Sequence, residues 1–165
     1  MGTKVKEKNG EHPFGDAGQL ILLALFLILW IVDSFFLRTS TFLSDHIPLY
    51  IRLLFLGLAL VTAAYLSMSG HDKICRELRG TKVVSNGAFR YVRHPLYSAC
   101  LLFYLGLAVS TASIFSLALS VVIFVFYNYI ASFEERLLDE KFGEEYRRYR
   151  KKTGKWVPGI GKGSE

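Results

Sequence analysis

The sequence predicts an all-α integral membrane protein with four transmembrane helices and a cytoplasmic amphipathic C-terminal helix. Three observations carry this. The 165 residues are 52% hydrophobic, and the apolar ones come in blocks as long as a bilayer is thick. At about 1.5 Å of rise per residue, about 20 apolar residues cross a hydrocarbon core of roughly 30 Å. Second, the 40 residues from His94 to Phe133 contain no Asp, Glu, Lys or Arg. As one helix that run would extend about 60 Å, twice the core thickness, so it must fold back as a hairpin. Third, with four spans, 18 of the 20 Lys and Arg fall on one side and only Arg38 and Arg52 on the other. The positive-inside rule assigns the rich side, and both termini, to the cytoplasm.

Residues 1–16 are polar, with Lys4, Lys6 and Lys8, and read as a disordered leader. The rest, 17–165, reads as one membrane domain. The apolar block 17–37 is too long for a signal-peptide core and is taken as the first span. Asp33 lies near its far end, where Arg38 or Arg52 is expected to neutralise it and where snorkelling to the interface is the simplest outcome. Arg38 to Pro48 is a short turn, and Pro48 suits the first turn of the next helix. The second span, 49–68, carries Gly57, Ala59, Ala63 and Ala64, small residues suited to close helix packing. Residues 69–93 form a polar, basic loop in which Val83-Val84 is extended and Ser85-Asn86-Gly87 turns. The hairpin gives spans 96–109 and 113–133, with its turn at Ser110 to Ser113; the third span is short. The tail, 134–160, places Leu137, Leu138, Phe142, Tyr146 and Tyr149 on one face and charge on the other, as in a helix lying at the interface. Trp156 and Val157 are expected to anchor its far end.

Both ends of a hairpin return to the same membrane face, so the sequence predicts that His94, which opens the uncharged run, meets Glu134, which closes it. Pro95 is tolerated at a first helical position, which puts His94 at the N-cap beside Arg93 and Arg90, a setting that favours anions. Glu134 favours a cation. Together they suit a zwitterion such as an amino acid headgroup. Glu135 is expected to face Arg136 at the surface. The bland alternative is an interfacial belt of aromatic and basic residues. No dinucleotide or phosphate-loop motif, no HExxH and no zinc-spaced His/Cys cluster occurs, so no metal is expected; His46 and His71 read as solvated. Cys75 and Cys100 lie in a loop and an apolar helix and predict no disulfide framework. The basic residues flank apolar spans, which points to a membrane rather than nucleic acid.

Arg93-His-Pro-Leu-Tyr97, preceded by Val83-Val84-Ser-Asn-Gly-Ala-Phe89, resembles the RHPxY segment of the isoprenylcysteine carboxyl methyltransferase family. The tail from Glu134-Glu135 through Phe142-Gly143 to Tyr146 and Tyr149 resembles that family's EE…FGxxYxxY segment, and membrane phospholipid methyltransferases share the arrangement. The resemblance covers about 49–160. It implies an S-adenosyl-L-methionine-dependent methyltransferase with a lipophilic small-molecule or lipid substrate. The resemblance further implies cofactor contacts at Thr81, Lys82, Val83, Val84, Phe89, His94, Pro95, Leu96, Tyr97 and Glu134, with Arg93 and Glu134 serving the chemistry. Ile130 stands where the prenylcysteine enzymes carry an Arg suited to a substrate carboxylate, so the acceptor is expected to be neutral or amine-bearing. The competing readings are a prenylcysteine carboxyl methyltransferase proper, an NADPH-dependent sterol-type membrane reductase, and a membrane subunit without activity.

Overall fold

A computed structural model describes residues 15–76 and 82–159. Residues 1–14 of the expected leader, Thr81 and the side chains of His71 and Cys75 lie outside the described residues; Gly15 and Asp16, expected in the leader, instead open the first helix. Helix α1 (Gly15–Ile31) runs into a π-helical turn, Val32–Leu37; after a short 3-10 turn, Phe42–Asp45, α2 spans Leu49–Arg76. A second 3-10 turn, Gly87–Arg90, precedes α3 (Pro95–Thr111), α4 (Ile114–Phe142) and α5 (Glu144–Lys152). Among the described residues there is no strand, only one parallel bridge between Val92 and Gly154. The stretches Ala17–Leu37, Leu49–Gly70 and Ile114–Phe142 are long and apolar enough to cross a membrane. Helix α3, with 17 residues, is about 26 Å long and falls short of the roughly 30 Å core.

Local chemistry sets the boundaries. Pro48 O accepts from Ile51 N at 3.1 Å and starts α2. The hairpin turns where expected: Ala112 adopts a left-handed φ of 53°, its N–H reaches Val109 O at 3.1 Å, and Ser113 Oγ caps α4 by accepting from Ser116 N at 3.1 Å. Helix α4 does not stop at Phe133. The residues that follow, EERLLDEKF, hold no Gly or Pro and are mostly good helix formers, so the helix continues to Gly143, whose φ of 54° ends it. The amphipathic stretch is therefore divided between the last turns of α4 and the nine residues of α5. Along it Tyr146 is buried, and Leu137, Leu138, Phe142 and Tyr149 are half-buried.

Helix α3 packs against α1, α2 and α4. On one side Phe26 of α1 meets Tyr104, Ala108, Ile123 and Tyr127; on the other, Ala59, Ala63, Leu66 and Gly70 form a buried stripe on α2. The approach is close: a Cβ on Gly106 would lie 3.1 Å from that of Ala59, and one on Gly70 would lie 3.3 Å from Leu96. Gly57 and Ala64, also expected to pack, do not join this stripe; a Cβ at Gly57 would meet nothing within 4 Å. Helices α1 and α2 flank α3 and leave a groove of about 770 Å³ between them, floored by Ala99, Cys100, Phe103, Tyr104 and Tyr127.

Asp33 departs from expectation. It is 2% exposed, and among the described residues neither Arg38 nor Arg52 pairs with it. Its carboxylate instead accepts from Thr39 Oγ1 at 2.8 Å, Ser40 N at 3.1 Å, Ser113 Oγ at 2.6 Å and the Ser40 hydroxyl. Arg52 reaches across to Ser110 O at 2.8 Å. Asp33 thus staples the exit of α1 to the α3–α4 turn with hydroxyls, because the π-turn aims its side chain inward, where snorkelling has no path.

Candidate active site

The start of α3 and the middle of α4 meet as the hairpin requires. Pro95 opens α3, His94 is its N-cap residue, and both are buried. Glu134 and Glu135 are consecutive on α4, so about 100° separates their side chains and each faces a different neighbour. Glu134 shares the Tyr127–Ala131 face that packs on α3, and the Tyr97 hydroxyl donates to its Oε1. Glu135 shares the Asn128–Ser132 face and lies 3.1 Å from Arg93 Nε, an ion pair not aligned as a hydrogen bond. The His94 ring sits between the two carboxylates, Nε2 at 3.0 Å from Glu135 Oε1 and Nδ1 at 3.7 Å from Glu134 Oε2. These side chains are well covered, at 7% exposure for His94, 12% for Arg93, 13% for Glu135 and 18% for Glu134. With so little water, a charge left without its partner would cost several kcal/mol, about 3–5.

Helix α5 and the chain after it return over this cluster. Arg93 N donates to Gly154 O at 2.9 Å and Arg93 Nη1 to Arg150 O at 3.2 Å. Tyr149 OH donates to Phe89 O at 2.6 Å. Lys155 Nζ donates to Asn128 Oδ1 at 2.8 Å and Ser132 Oγ at 2.7 Å, and its desolvation there holds its pKa below the usual lysine value. Trp156 packs with its ring 5.8 Å from that of His94 and 5.6 Å from that of Phe124; it is part of the site's wall, not a distant anchor. Burial raises the pKa of both Tyr146 and Tyr149, with the Glu135 charge adding to the effect. Among the described residues the buried Tyr146 hydroxyl has no hydrogen-bond partner.

Among the residues singled out from sequence, Arg93, His94, Pro95, Leu96, Tyr97 and Glu134 gather at one end of the bundle. Lys82 is exposed, Val83 and Val84 are half-buried, and Val83 N lies 3.2 Å from Glu145 Oε1 on α5. Phe89 adjoins the cluster through its carbonyl, whereas Thr81 lies outside the described residues. Arg90 is exposed. The expectation for Glu135 is corrected: it pairs with Arg93 and His94, not with Arg136. Lys155, Trp156, Asn128 and Ser132 were not foreseen. The i, i+4, i+7 spacing of Asn128, Ser132 and Glu135 was a visible signal of a polar stripe on an apolar helix. Among the described residues no group of three metal-ligating side chains forms.

Fold and site define a helical protein with three segments long and apolar enough to cross a membrane and a buried, charged and aromatic cluster at one end. Residues 47–145 match the family model of phospholipid methyltransferases, and the chain belongs to that family. It is similar to methanethiol S-methyltransferase of Crocosphaera subtropica, 29% identical over 93% of this chain and 55% of that protein. It also resembles protein-S-isoprenylcysteine O-methyltransferase B of Arabidopsis thaliana, 33% identical over 62% of this chain and 51% of that protein. The Schizosaccharomyces pombe protein-S-isoprenylcysteine O-methyltransferase is 34% identical over 47% of this chain and 34% of its own length. The chain thus spans about half the length, or less, of these relatives.

Proposed function

We propose that this chain is an integral-membrane, S-adenosyl-L-methionine-dependent methyltransferase that acts on a neutral or amine-bearing lipophilic acceptor. The observation that carries the reading is the contact between cluster and groove. Tyr97, hydrogen-bonded to Glu134, lies 5.3 Å ring to ring from Tyr127, which floors the apolar groove between α1 and α2. Polar cofactor and apolar acceptor would meet at that pair of rings.

The residues present fit the cofactor. A carboxylate, a ring nitrogen and a guanidinium suit an amino acid headgroup, and aromatic rings line the way to the groove. His94, Pro95, Leu96, Tyr97 and Glu134 would hold it, with the segment 81–84 and Phe89 nearby. The cofactor, when bound, supplies an activated methyl group for in-line displacement. The chain's own contribution is orientation and exclusion of water: Glu134 and Arg93 fix charged ends, and the segment Tyr149–Trp156 covers them. Among the described residues the groove has no charged lining side chain, and Ile130 is 1% exposed in the core. A carboxylate acceptor would be desolvated there without a cation, which is costly; an amine, thiol or hydroxyl on an apolar body is favoured. The methanethiol enzyme among the relatives acts on a neutral thiol by its name. The same reading takes α3 as a fourth membrane segment, with both termini and an interfacial α5 on the cytoplasmic side.

Calorimetry on purified protein with S-adenosylhomocysteine and with NADPH is the test. Binding of the first alone is expected. Binding of NADPH would favour the reductase reading, and binding of neither a subunit without activity.

A further inference from the structure

The groove between α1 and α2 holds polar groups that the proposed chemistry leaves without a role. Among the described residues five of its lining side chains are polar. Gln19 and Ser67 stand within three residues of the ends of their apolar segments and so lie at the rim. Cys100, Tyr104 and Tyr127 lie on the floor, the first two about 8 and 14 Å along α3 from Pro95. Phe would fill the space of either tyrosine, whereas a hydroxyl taken out of water is costly unless hydrogen-bonded. The Tyr127 hydroxyl interacts with Tyr104 and with Cys100, which makes the three one patch. Mutual pairing does not use the patch up: each phenol oxygen donates once and carries two lone pairs, so acceptor sites outnumber donors. The rings are also held in place. Tyr104 meets Phe26 at 4.7 Å and Phe103 at 5.8 Å, and Tyr127 meets Tyr97 at 5.3 Å and Phe126 at 6.1 Å, all edge to face.

We infer that Cys100, Tyr104 and Tyr127 form the subsite for the heteroatom of the methyl acceptor. Resting on the methyltransferase reading, this names the chemistry taken there: one neutral hydroxyl, thiol or amine that carries hydrogen, on an apolar body that fills the rest of the groove. Its X–H group meets the spare lone pairs of the phenols, beside the Tyr97–Tyr127 contact where the polar cluster begins. A charged headgroup finds no counter-ion among the described lining residues, and a plain hydrocarbon leaves the patch without a partner.

The test reads groove occupancy through Cys100, which Cys75→Ser leaves as the single cysteine of the chain. The full chain in detergent is labelled with N-ethylmaleimide in the presence of 1-decanol or of decane, and the half-protecting mole fractions in the micelle are compared. In Tyr127→Phe and in Tyr104→Phe the preference for decanol over decane should fall by about two- to tenfold, the range for one net hydrogen bond. Partitioning into the micelle is common to all variants and cancels from that comparison. Ala64→Phe narrows the groove without touching the patch, so it should weaken both probes alike and keep the preference, as a merely structural role of the tyrosines would. The inference is overturned if the preference is unchanged in the Tyr variants, if Ala64→Phe shifts it as far, or if Cys100 is not labelled in the unliganded protein. Either Tyr variant decides where the other fails to fold. Calorimetry with S-adenosylhomocysteine on the same samples separates the two readings. An unchanged preference in protein that binds it sinks this inference alone; a lowered preference in protein that does not bind it supports the subsite and sinks the methyltransferase reading.

Discussion

Replacing Asp33 by Ala tests how a carboxylate with no cationic partner among the described residues holds the end of the bundle away from His94. Four donors converge on it: Thr39 Oγ1, Ser40 N, Ser40 Oγ and Ser113 Oγ. Each hydrogen bond to a charged acceptor contributes about 1.5–3 kcal/mol, but the four do not simply add. Hydroxyls can turn to other acceptors: Ser113 Oγ lies 2.9 Å from Ser116 Oγ, and Ser40 Oγ lies 3.3 Å from Ser113 Oγ. The Ser40 N–H cannot turn, and an orphaned buried donor costs about 1–3 kcal/mol. Removing a desolvated charge recovers part of this. The net expected loss is about 2–4 kcal/mol, from one orphaned amide and at least one lost charged hydrogen bond. Unfolding in detergent micelles by denaturant would measure it. Trp30 is a local reporter, because its Nε1 donates to Leu107 O at 3.0 Å and its partner Thr111 Oγ1 also receives Ser34 Oγ at 2.9 Å. Ser44→Ala, whose exposed hydroxyl only reaches Asp45 at 3.4 Å, should stay within about 0.5 kcal/mol of wild type. If Asp33→Ala is as stable as that control, or more stable than wild type, the carboxylate is a net burden and the staple argument is wrong.

His94→Ala and Glu134→Gln should each weaken S-adenosylhomocysteine binding by about 1–3 kcal/mol; negligible effects of both in a titration would remove the proposed site. Tyr146→Phe deletes a buried hydroxyl with no partner among the described residues and should stabilise by about 1 kcal/mol, whereas Tyr149→Phe loses the bond to Phe89 O and should destabilise by about as much. Both phenols have folded pKa values raised above the unfolded value of 10.0, so their contribution is intact below pH 10 and is lost as pH rises above it. A denaturation series from pH 8 to 11 should therefore show weaker alkaline destabilisation in Tyr146→Phe than in wild type. Filling the groove with Ala64→Phe, at an exposed lining position outside the buried stripe, should suppress methyl transfer to lipophilic acceptors while leaving calorimetric binding of S-adenosylhomocysteine unchanged. Cysteines placed in the Arg38–Pro48 turn should react with an impermeant reagent from outside the cell, and those after Lys151 should not; labelling of both from one side would reject the four-span arrangement.

The sequence by itself determined the helices and the hairpin. Long apolar blocks admit only helices in a bilayer, because each backbone polar group must be satisfied within its own segment. A 40-residue uncharged run of twice the span length must turn. That turn returns His94 to the neighbourhood of Glu134, and the structure puts 3.7 Å between their side-chain atoms. Local propensity also had the information that α4 would outrun Phe133, since nothing before Gly143 breaks a helix, but the change from apolar to charged sequence masked it. What only the tertiary structure decided is direction. Asp33 points inward because a π-turn rotates it toward Ser40 and Ser113, 80 residues away for the latter. Glu135, next to Glu134 in sequence, belongs to another face and so pairs with Arg93 and His94. Trp156 and Lys155 reach the site because the Val92–Gly154 bridge and the Asn128 amide bring the chain back over it. Such partnerships join residues far apart along the chain, and their geometry depends on helix rotation and packing that no local pattern encodes.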